Sequence, residues 1–312
     1  MTWPGCYRED MILVAGSINM DLVARVPQIA APGQTVLGHG FARHHGGKGA
    51  NQAVAAARLG AAVAFVGALG RDGFGDELLA GLLAQGIDVG GVQRVEEPSG
   101  CALISVSDEG ENAISVLPGA NVFAPLPPPT WFADWLLLQL EIPLPTCLAW
   151  AQAAQQLGVR VMLNAAPMQR LPPALLRCVD TLVVNEGELT ANVRHEVRHE
   201  LNLSDALAHV ASQGPRCVVV TLGARGCRAW FEGAVTQLDG HSVQVVDSTG
   251  AGDTFVGALA AGLDAGLVMP QALCRANAAA SLSCTVAGAR GGMPTAQAVE
   301  LALQQNTHPP VR

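Results

Sequence analysis

The sequence predicts an α/β fold with a predominantly parallel central sheet, helices on both faces of that sheet, and a small β-sheet lid. Three observations predict this architecture. Short, continuous apolar runs are typical of strands that are covered on both faces. These runs alternate with helical patterns, as they do when crossover helices connect parallel strands. Two strand-like stretches break the alternation, which predicts a second, smaller sheet.

The main elements follow in order along the chain. Apolar runs predict central strands at residues 11–15, 136–140, 182–184 and 217–221. Helical patterns occur at residues 144–157, 204–213, 251–263 and 270–286. Half of the 312 residues are apolar, so the chain is long enough to bury a large core.

The lid is predicted from two strand-like stretches, residues 21–41 and 100–116. A polar turn at residues 108–112 is expected to close a hairpin within the second stretch. The proline-rich residues 125–129 indicate a stiff surface connection rather than a ligand for another domain.

Composition and charge exclude several classes of protein. The net charge is −8 and only 18 residues are basic, whereas binding along a nucleic acid depends on clustered Lys and Arg. A small anionic ligand stays open, because backbone amides bind phosphate without net positive charge. No stretch of about 20 apolar residues is free of charge, so no membrane span is predicted.

The cysteines and the first residues indicate the compartment. The eight cysteines form no Cys-x-x-Cys pair and no Cys/His zinc spacing, which favours buried, reduced thiols. Arg8, Glu9 and Asp10 precede the first apolar run, a layout unlike that of a signal peptide. We therefore expect a cytoplasmic protein.

The most informative segment is Asp247-Ser-Thr-Gly-Ala-Gly-Asp253, which opens a helix of small residues. Glycines at a helix start leave the first amides uncovered, and the helix dipole favours an anion there. The amides of Gly250, Ala251 and Gly252 are therefore predicted to bind a phosphoryl group. Asp253 is either an ordinary acid in the first turn or a general base that deprotonates an alcohol beside the anion site.

A second glycine-rich segment, Gly46-Gly-Lys-Gly-Ala-Asn51, opens a helix that stops at Gly60, as expected for a C-terminal cap. The segment matches neither the P-loop nor the dinucleotide fingerprint. Close backbone approach, together with Lys48 and Asn51, suits a ligand rich in hydroxyls. A tight turn beside a solvated lysine is the alternative.

Asn19 and Asp21 follow the first predicted strand. Ligands of open α/β sheets bind at the carboxyl ends of the strands, where these side chains would emerge. An amide beside a carboxylate can hold vicinal hydroxyls, although a simple Asx turn is the alternative.

The two glycine-rich segments, far apart and in this order, resemble the two signatures of the ribokinase-like (PfkB) carbohydrate kinases. The resemblance spans about residues 12–294, and two motifs in order are far more specific than either alone. It implies one kinase domain over residues 11–305, with the lid segments inserted in it. It also implies ATP and Mg²⁺, an activating K⁺ or similar monovalent cation, and a homodimer formed through the lid.

The resemblance implies a role for each matching residue. Asp253 would be the general base, and the amides of Gly250, Ala251 and Gly252 the anion hole. The implied sugar-binding residues are Asn19, Asp21, Gly47, Lys48, Asn51, Glu141 and Asp253.

On the nucleotide side, Asn185-x-x-Glu188 matches the family's motif, and Glu188 is associated with Mg²⁺. The implied ATP-binding residues are Asn185, Thr221, Gly223, Gly226, Gly252 and Asn277. The implied monovalent-cation positions are Asp247, Thr249, Ser283, Val286, Gly288 and Gly292.

Two residues depart from the family's pattern. Gln34 stands where the family usually has Glu, which we expect to loosen a lid contact. Gly292 stands where Ser is typical, which we expect to weaken activation by a monovalent cation. Cys101 and Ile114, toward the far end of the sugar, do not specify a substrate.

The implied reaction is in-line transfer of the ATP γ-phosphoryl group to O5 of D-ribose. A sister kinase acting on deoxyribose, a hexose or a nucleoside stays open, because one scaffold serves them all. Only 13 aromatic residues (5 Trp, 1 Tyr and 7 Phe) are available to stack on a nucleobase. A silent sugar-binding regulator is a third alternative, but the predicted base and anion hole are both intact.

Overall fold

The computed structural model describes residues 11–128, 131–194 and 201–306. Within these ranges the strands, in chain order, are β1 (Ile12–Ala15), β2 (Asn19–Val26), β3 (Gly40–Gly46), β4 (Val63–Gly70), β5 (Asp88–Val95), β6 (Gly100–Ser107), β7 (Asn112–Leu117), β8 (Trp135–Leu138), β9 (Arg160–Asn164), β10 (Thr181–Asn185), β11 (Cys217–Thr221), β12 (Cys227–Phe231) and β13 (Ala234–Leu238). The α-helices are α1 (Lys48–Arg58), α2 (Gly73–Leu83), α3 (Leu144–Leu157), α4 (Pro173–Leu176), α5 (Glu186–Arg194), α6 (Leu203–Ala211), α7 (Ala251–Asp264), α8 (Met269–Ser283) and α9 (Ala296–Asn306).

The main sheet has nine strands in the order β13-β12-β11-β10-β9-β8-β1-β4-β5. The pairs from β11 to β5 are parallel, and β12 and β13 add an antiparallel hairpin at one edge. The predicted class, a largely parallel sheet with a smaller sheet beside it, is confirmed.

Alternate residues of the strands face two apolar layers, as expected for strands covered on both sides. In β1, Ile12 and Val14 pack in one layer with residues of α1, α7 and α8. Leu13 and Ala15 pack in the opposite layer, which contains Trp150 of α3. These layers hold the strand ends in place on both faces.

The smaller sheet, here called the lid, has four strands in the order β3-β2-β6-β7. The polar turn at residues 108–112 joins β6 to β7, as predicted. The prediction for residues 21–41 was wrong in its middle, because residues 27–39 form a loop between β2 and β3. Pro27 and Pro32 lie in that loop, and proline has no amide to donate to a sheet.

Two predicted elements end early for tertiary reasons. The strand predicted to reach residue 140 ends at Leu138, since the Leu140 amide leaves the sheet to donate to Ala166 O at 2.9 Å. The helix predicted to reach residue 286 ends at Ser283. The Cys284 carbonyl then accepts the amides of Val246 and Asp247 at 2.8 and 3.1 Å.

The carboxyl ends of β1, β8, β9, β10 and β11 lie along one edge of the main sheet. The chain order reverses beside β1, which pairs with β4 on one side and β8 on the other. In open α/β sheets such a reversal leaves a crevice where ligands bind. None of the described helices is long and apolar enough to cross a membrane.

Candidate active site

Asp253 lies in the first turn of α7, which begins after Gly250 with φ at 77°. Its carboxylate is buried: Oδ2 accepts from Asn51 Nδ2 at 3.0 Å and Oδ1 accepts from Gln52 Nε2 at 3.1 Å. Burial raises the pKa of Asp253, whereas Lys48 and the two amide donors act to lower it. A carboxylate held in one orientation with a raised pKa is suited to accept a proton from an alcohol.

The start of α7 also offers free backbone donors beside that carboxylate. Neither the Gly250 nor the Gly252 amide has a hydrogen-bond acceptor within the described ranges. The Ala251 amide donates to Ser248 O at 3.2 Å, a long bond that an incoming anion would compete for. Two open amides at a helix N-terminus can receive a phosphoryl group.

Gln52 connects Asp253 to the carboxyl edge of the sheet. Its Nε2 also donates to Asn164 Oδ1 at 3.1 Å, and its Oε1 accepts from Gln139 Nε2 at 2.6 Å. Asn164 ends β9 and Gln139 follows β8. None of these three residues was predicted from the sequence: Gln139 and Asn164 are single amides in or after apolar runs and form no recognisable motif, and the contact of Gln52 with Asp253 depends on the packing of α1 against α7.

Glu141 joins the ends of β1 and β8 to the start of α1. Its Oε2 accepts from Ser17 Oγ at 2.5 Å and from the Lys48 amide at 2.9 Å. Only glycine fits at position 47, where a Cβ would lie 2.6 Å from Ile18 Cα and where φ is 86°. Ser17 is a further residue that sequence analysis missed.

Asn19 and Asp21 enter the site from the lid strand β2. Asn19 Oδ1 accepts from Asn121 Nδ2 at 2.7 Å, and Asn121 Oδ1 accepts from the Ile18 amide at 2.9 Å. Asp21 lies against Gly46, where any Cβ would overlap the Asp21 carboxylate.

The charges around Asp21 show which predicted residues are brought together. Burial raises the pKa of Asp21 to about 6; Arg290 and Lys48 act to lower it, and the carboxylates of Glu141 and Asp253 act to raise it. The charged residues predicted to bind a sugar, Asp21, Lys48, Glu141 and Asp253, thus lie close enough to influence one another. Arg290 was not among the predicted site residues.

Asn185 and Glu188 form a reciprocal cap at the start of α5. Asn185 Oδ1 accepts the Glu188 amide and Glu188 Oε2 accepts the Asn185 amide, both at 2.8 Å. This capping box gives the Asn-x-x-Glu motif a structural role as well. Burial raises the pKa of Glu188, and the negative charge of Glu188 acts to raise the pKa of Lys48.

The other predicted nucleotide residues lie at the end of β11 and on α8. Thr221 ends β11, and the turn after it is closed by the Leu222 amide donating to Gly226 O at 2.8 Å. Asn277 of α8 donates through Nδ2 to Asp239 O at 2.7 Å, which anchors the segment that leads from β13 to α7.

Asp247 holds together the two loops predicted to bind a monovalent cation. Its Oδ1 accepts the Thr249 amide at 2.9 Å and its Oδ2 accepts the Gly288 amide at 2.8 Å. Burial acts to raise the pKa of Asp247, but the hydrogen bonds from Thr249 and Gly288 outweigh it and lower that pKa. A Cβ at Gly292 would overlap the Ser283 carbonyl, so position 292 can offer only its backbone oxygen.

The donor atoms present suit the implied metal ions in different ways. Within the described ranges, no three His, Cys, Asp or Glu side chains cluster as they would in an all-protein metal site. Mg²⁺ is commonly held by one or two carboxylates together with nucleotide phosphates, which fits a single Glu188. The backbone carbonyls of the two loops are hard oxygen donors, as a potassium-like ion requires.

Comparison with known proteins shows that the similarity covers most of the chain. The pfkB family of carbohydrate kinases matches residues 9–296. The ribokinase of Haemophilus influenzae is 38% identical over 293 residues, which cover 92% of this chain and 96% of that protein. The structure of Arabidopsis thaliana ribokinase complexed with ribose and ATP has a TM-score of 0.83 at 33% identity, covering 94% of this chain and 98% of the other. The nucleoside kinase of Methanocaldococcus jannaschii has a TM-score of 0.85 at 18% identity over 95% of this chain and 99% of the other, so it shares the fold.

Proposed function

Because the chain belongs to the pfkB family of carbohydrate kinases, we propose that it transfers the γ-phosphoryl group of ATP to O5 of D-ribose. The observation that carries the proposal is the position of Asp253, held by Asn51 and Gln52 beside the open amides of Gly250 and Gly252. That arrangement offers a proton acceptor and an anion site in the same turn of α7. Ribose as the substrate is supported by relatives that are named ribokinases, since the similarity covers nearly the whole length of each of them.

The sugar would lie between the lid strand β2 and the start of α1. Asn19 and Asp21 approach from β2, and Asn51 and Glu141 from the main sheet side. Their oxygens and amides match a ligand whose hydroxyls both donate and accept hydrogen bonds. Gly47 allows the backbone to approach this ligand closely.

The chain's own residues account for the chemical step. Asp253 takes the proton of the attacking hydroxyl as the new O–P bond forms, and the bond from the γ-phosphorus to the β–γ bridging oxygen breaks to release ADP. The amides of Gly250, Ala251 and Gly252 stabilise the negative charge of the transferred group. The positive charge of Lys48 favours the ionised, proton-accepting form of Asp253.

ATP would lie along the carboxyl ends of β10 and β11, beside Asn185, Thr221, Gly223, Gly226 and Asn277. Glu188 would hold Mg²⁺ together with the ATP phosphates, and the ion would offset their charge. The monovalent cation would be held by Asp247 and by backbone oxygens, at the positions Thr249, Ser283, Val286, Gly288 and Gly292. Because position 292 adds no side-chain donor, we expect a weak dependence on that cation.

We further propose a homodimer formed through the lid and a cytoplasmic location. The outer strand β7 exposes a row of apolar side chains, among them Ile114, Val116 and Leu117. Such an edge is a ready partner for a second copy. The seven cysteines within the described ranges are all free thiols, which suits a reducing compartment.

A substrate panel tests the proposal. Purified protein is assayed for ADP release with ATP and Mg²⁺ on D-ribose, deoxyribose, D-fructose and adenosine, each with and without K⁺. We expect kcat/KM to be highest for ribose and to exceed that for deoxyribose by about tenfold or more, because a site that hydrogen-bonds a hydroxyl rejects an analogue that lacks it. A higher kcat/KM for another acceptor would reassign the substrate, and no ADP release with any acceptor would contradict a kinase.

A further inference from the structure

Arg290, in the loop after α8, reaches across to the sugar side of the site. Its Nε donates to Asn51 Oδ1 at 2.8 Å, and its Nη2 donates to Gly46 O at 2.9 Å. Both acceptors belong to the segment that opens α1. The guanidinium therefore joins the loop after α8 to the sugar-binding segment with two hydrogen bonds.

The bond to Asn51 decides which end of its amide faces Asp253. With Oδ1 accepting from Arg290, Nδ2 is directed to Asp253 Oδ2 at 3.0 Å. A flipped amide would place Oδ1 against the carboxylate and Nδ2 against the guanidinium, and both hydrogen bonds would be lost. Asn51 alone can adopt either orientation, and Arg290 selects one of them.

We propose that Arg290 is a positioning residue for phosphoryl transfer, which orients Asn51 so that Asp253 is held toward the acceptor hydroxyl. This inference rests on the proposed function, because it concerns the same base and the same sugar. Arg290 acts through Asn51 and does not itself touch the reacting atoms.

A second arginine already holds the loop, so Arg290 is not needed for that purpose. Arg58 Nη1 donates to the carbonyls of Arg290 and Met293 at 2.6 and 3.0 Å, and its Nε donates to Gln85 Oε1 at 2.9 Å. None of these partners is a residue predicted to bind the sugar. The two arginines thus have different roles. Arg58 holds the backbone of the loop, and the side chain of Arg290 contacts the site.

The electrostatics of the sugar side agree with this assignment. The charge of Arg290 lowers the pKa of Asp21 against the effect of burial, and among the charged groups around Asp21 it is the strongest opposing influence. Lys48 acts in the same direction, whereas Glu141 and Asp253 act in the opposite one. Arg290 therefore also favours the ionised form of Asp21, a predicted sugar-binding residue.

A double-mutant cycle on kcat/KM for D-ribose tests the proposal. Arg290→Met is expected to lower kcat/KM about 10- to 100-fold, because misplacing a reacting group by about 1 Å can cost about 100-fold. In an Asn51→Ala background the same change is expected to cost no more than about threefold, since contacting residues are not additive. The KM for ATP should stay within about twofold of wild type.

Two controls accompany the cycle. Arg58→Met removes the contacts to the loop backbone but keeps the Arg290 guanidinium, so it should lower kcat/KM less than Arg290→Met does. Arg216→Met removes an 85% exposed arginine just before β11, away from the sugar side, and should leave activity unchanged. If Arg290→Met does not fold, as judged by thermal unfolding, Arg290→Gln replaces it in the cycle, since the shorter amide keeps a polar group but cannot span both acceptors.

The outcomes separate the inference from the function beneath it. An active wild type with a non-additive Arg290/Asn51 cycle supports the inference. If the wild type is active and the effects of Arg290→Met and Asn51→Ala on kcat/KM multiply, the inference is overturned and the kinase assignment stays intact. A wild type that phosphorylates no sugar overturns the proposed function, and the inference with it.

Discussion

Three acidic side chains, Asp21, Glu141 and Asp253, influence one another on the sugar side of the site. Burial and mutual repulsion raise the pKa of Asp21 to about 6, despite Lys48 and Arg290 nearby. A site with these charges is therefore less stable than a neutral one of the same shape would be. Charged groups in such a site are maintained for binding and catalysis, at a cost in folding stability.

The shifted pKa of Asp21 predicts how its removal changes stability with pH. The ordinary pKa of an aspartate side chain is 3.8 and that of Asp21 in the folded protein is about 6, so the folded state binds the proton more tightly. The tighter binding of this proton in the folded state stabilises the protein fully below about pH 4, and this stabilisation is lost as the pH rises through 6. Asp21→Asn should therefore raise the free energy of unfolding at pH 8 by roughly 1–3 kcal/mol, with little gain at pH 4, while weakening ribose binding.

Denaturant unfolding at the two pH values measures this difference. Glu109→Gln, at an exposed carboxylate in the lid turn, is the matched control and should change stability at neither pH. An Asp21→Asn protein that is no more stable than wild type at pH 8 would contradict the account of this site.

Residue patterns predicted part of this site and left out the rest for a physical reason. Asn51 and Asp253 stand in glycine-rich segments, whose composition indicates close backbone approach and an anion site, and Asn19 and Asp21 follow the first predicted strand. Other contacts of the site, such as the bond from Gln52 to Asp253, join elements that are distant in the chain. Only the packing of those elements shows that the side chains meet.

At the scale of elements, the distance between α1 and α7 sets the geometry around Asp253, the proposed base. Asn51 and Gln52 project from α1 and Asp253 from α7. The helices meet where a Cβ on Gly257 would lie 2.6 Å from both Ala55 Cβ and Gln52 O. This glycine lets α7 approach closely enough for both amides to reach the carboxylate.

Gly257→Ala should separate the two helices and lengthen the contacts of Asp253. We expect kcat to fall by about 100-fold, because small displacements of a reacting group have effects of this size, and stability to fall by about 1–3 kcal/mol from overpacking. Gly73→Ala at the start of α2 is the control, since a Cβ there meets nothing within 4 Å. Steady-state kinetics and thermal unfolding measure both effects, and unchanged kcat in Gly257→Ala would refute the role of this contact.

The sequence predicted where helices lie more accurately than it predicted the residues at which they end. The helix predicted at 251–263 lies at Ala251–Asp264, because a run of small apolar residues after Gly250 permits little else. By contrast, α8 stops at Ser283 where the Cys284 carbonyl accepts two amides from the segment before α7. A helix end that depends on a partner distant in the chain is not visible in local composition.

At the scale of the whole molecule, the main sheet and the lid each contribute proposed binding residues. The main sheet places the strand ends that carry Glu141, Asn164 and Asn185, and β2 brings Asn19 and Asp21 from the lid. The lid strand β7 has an open edge and exposed apolar side chains. In the proposed dimer this edge is covered by a second copy of the lid.

Ile114→Glu should convert the proposed dimer to a monomer, because it places a charge on an apolar surface that would be buried. Size-exclusion chromatography with light scattering measures the mass of wild type and variant. Val235→Glu is the control, since Val235 is also exposed on a strand but lies in β13, outside the lid. A monomeric wild type, or a variant that stays dimeric, would contradict the lid interface.

The central claim is that Asp253 is the general base for phosphorylation of ribose, and Asp253→Asn tests it most directly. The variant keeps a side chain of the same size but removes the proton acceptor, so kcat should fall by about 10² to 10⁴. Calorimetric titration should still detect ribose binding, since the other predicted sugar contacts remain. The measurement is ribose 5-phosphate formation by wild type and variant under saturating ATP and ribose. The account predicts loss of product with retained ribose binding, and a variant that turns over at the wild-type rate would contradict it.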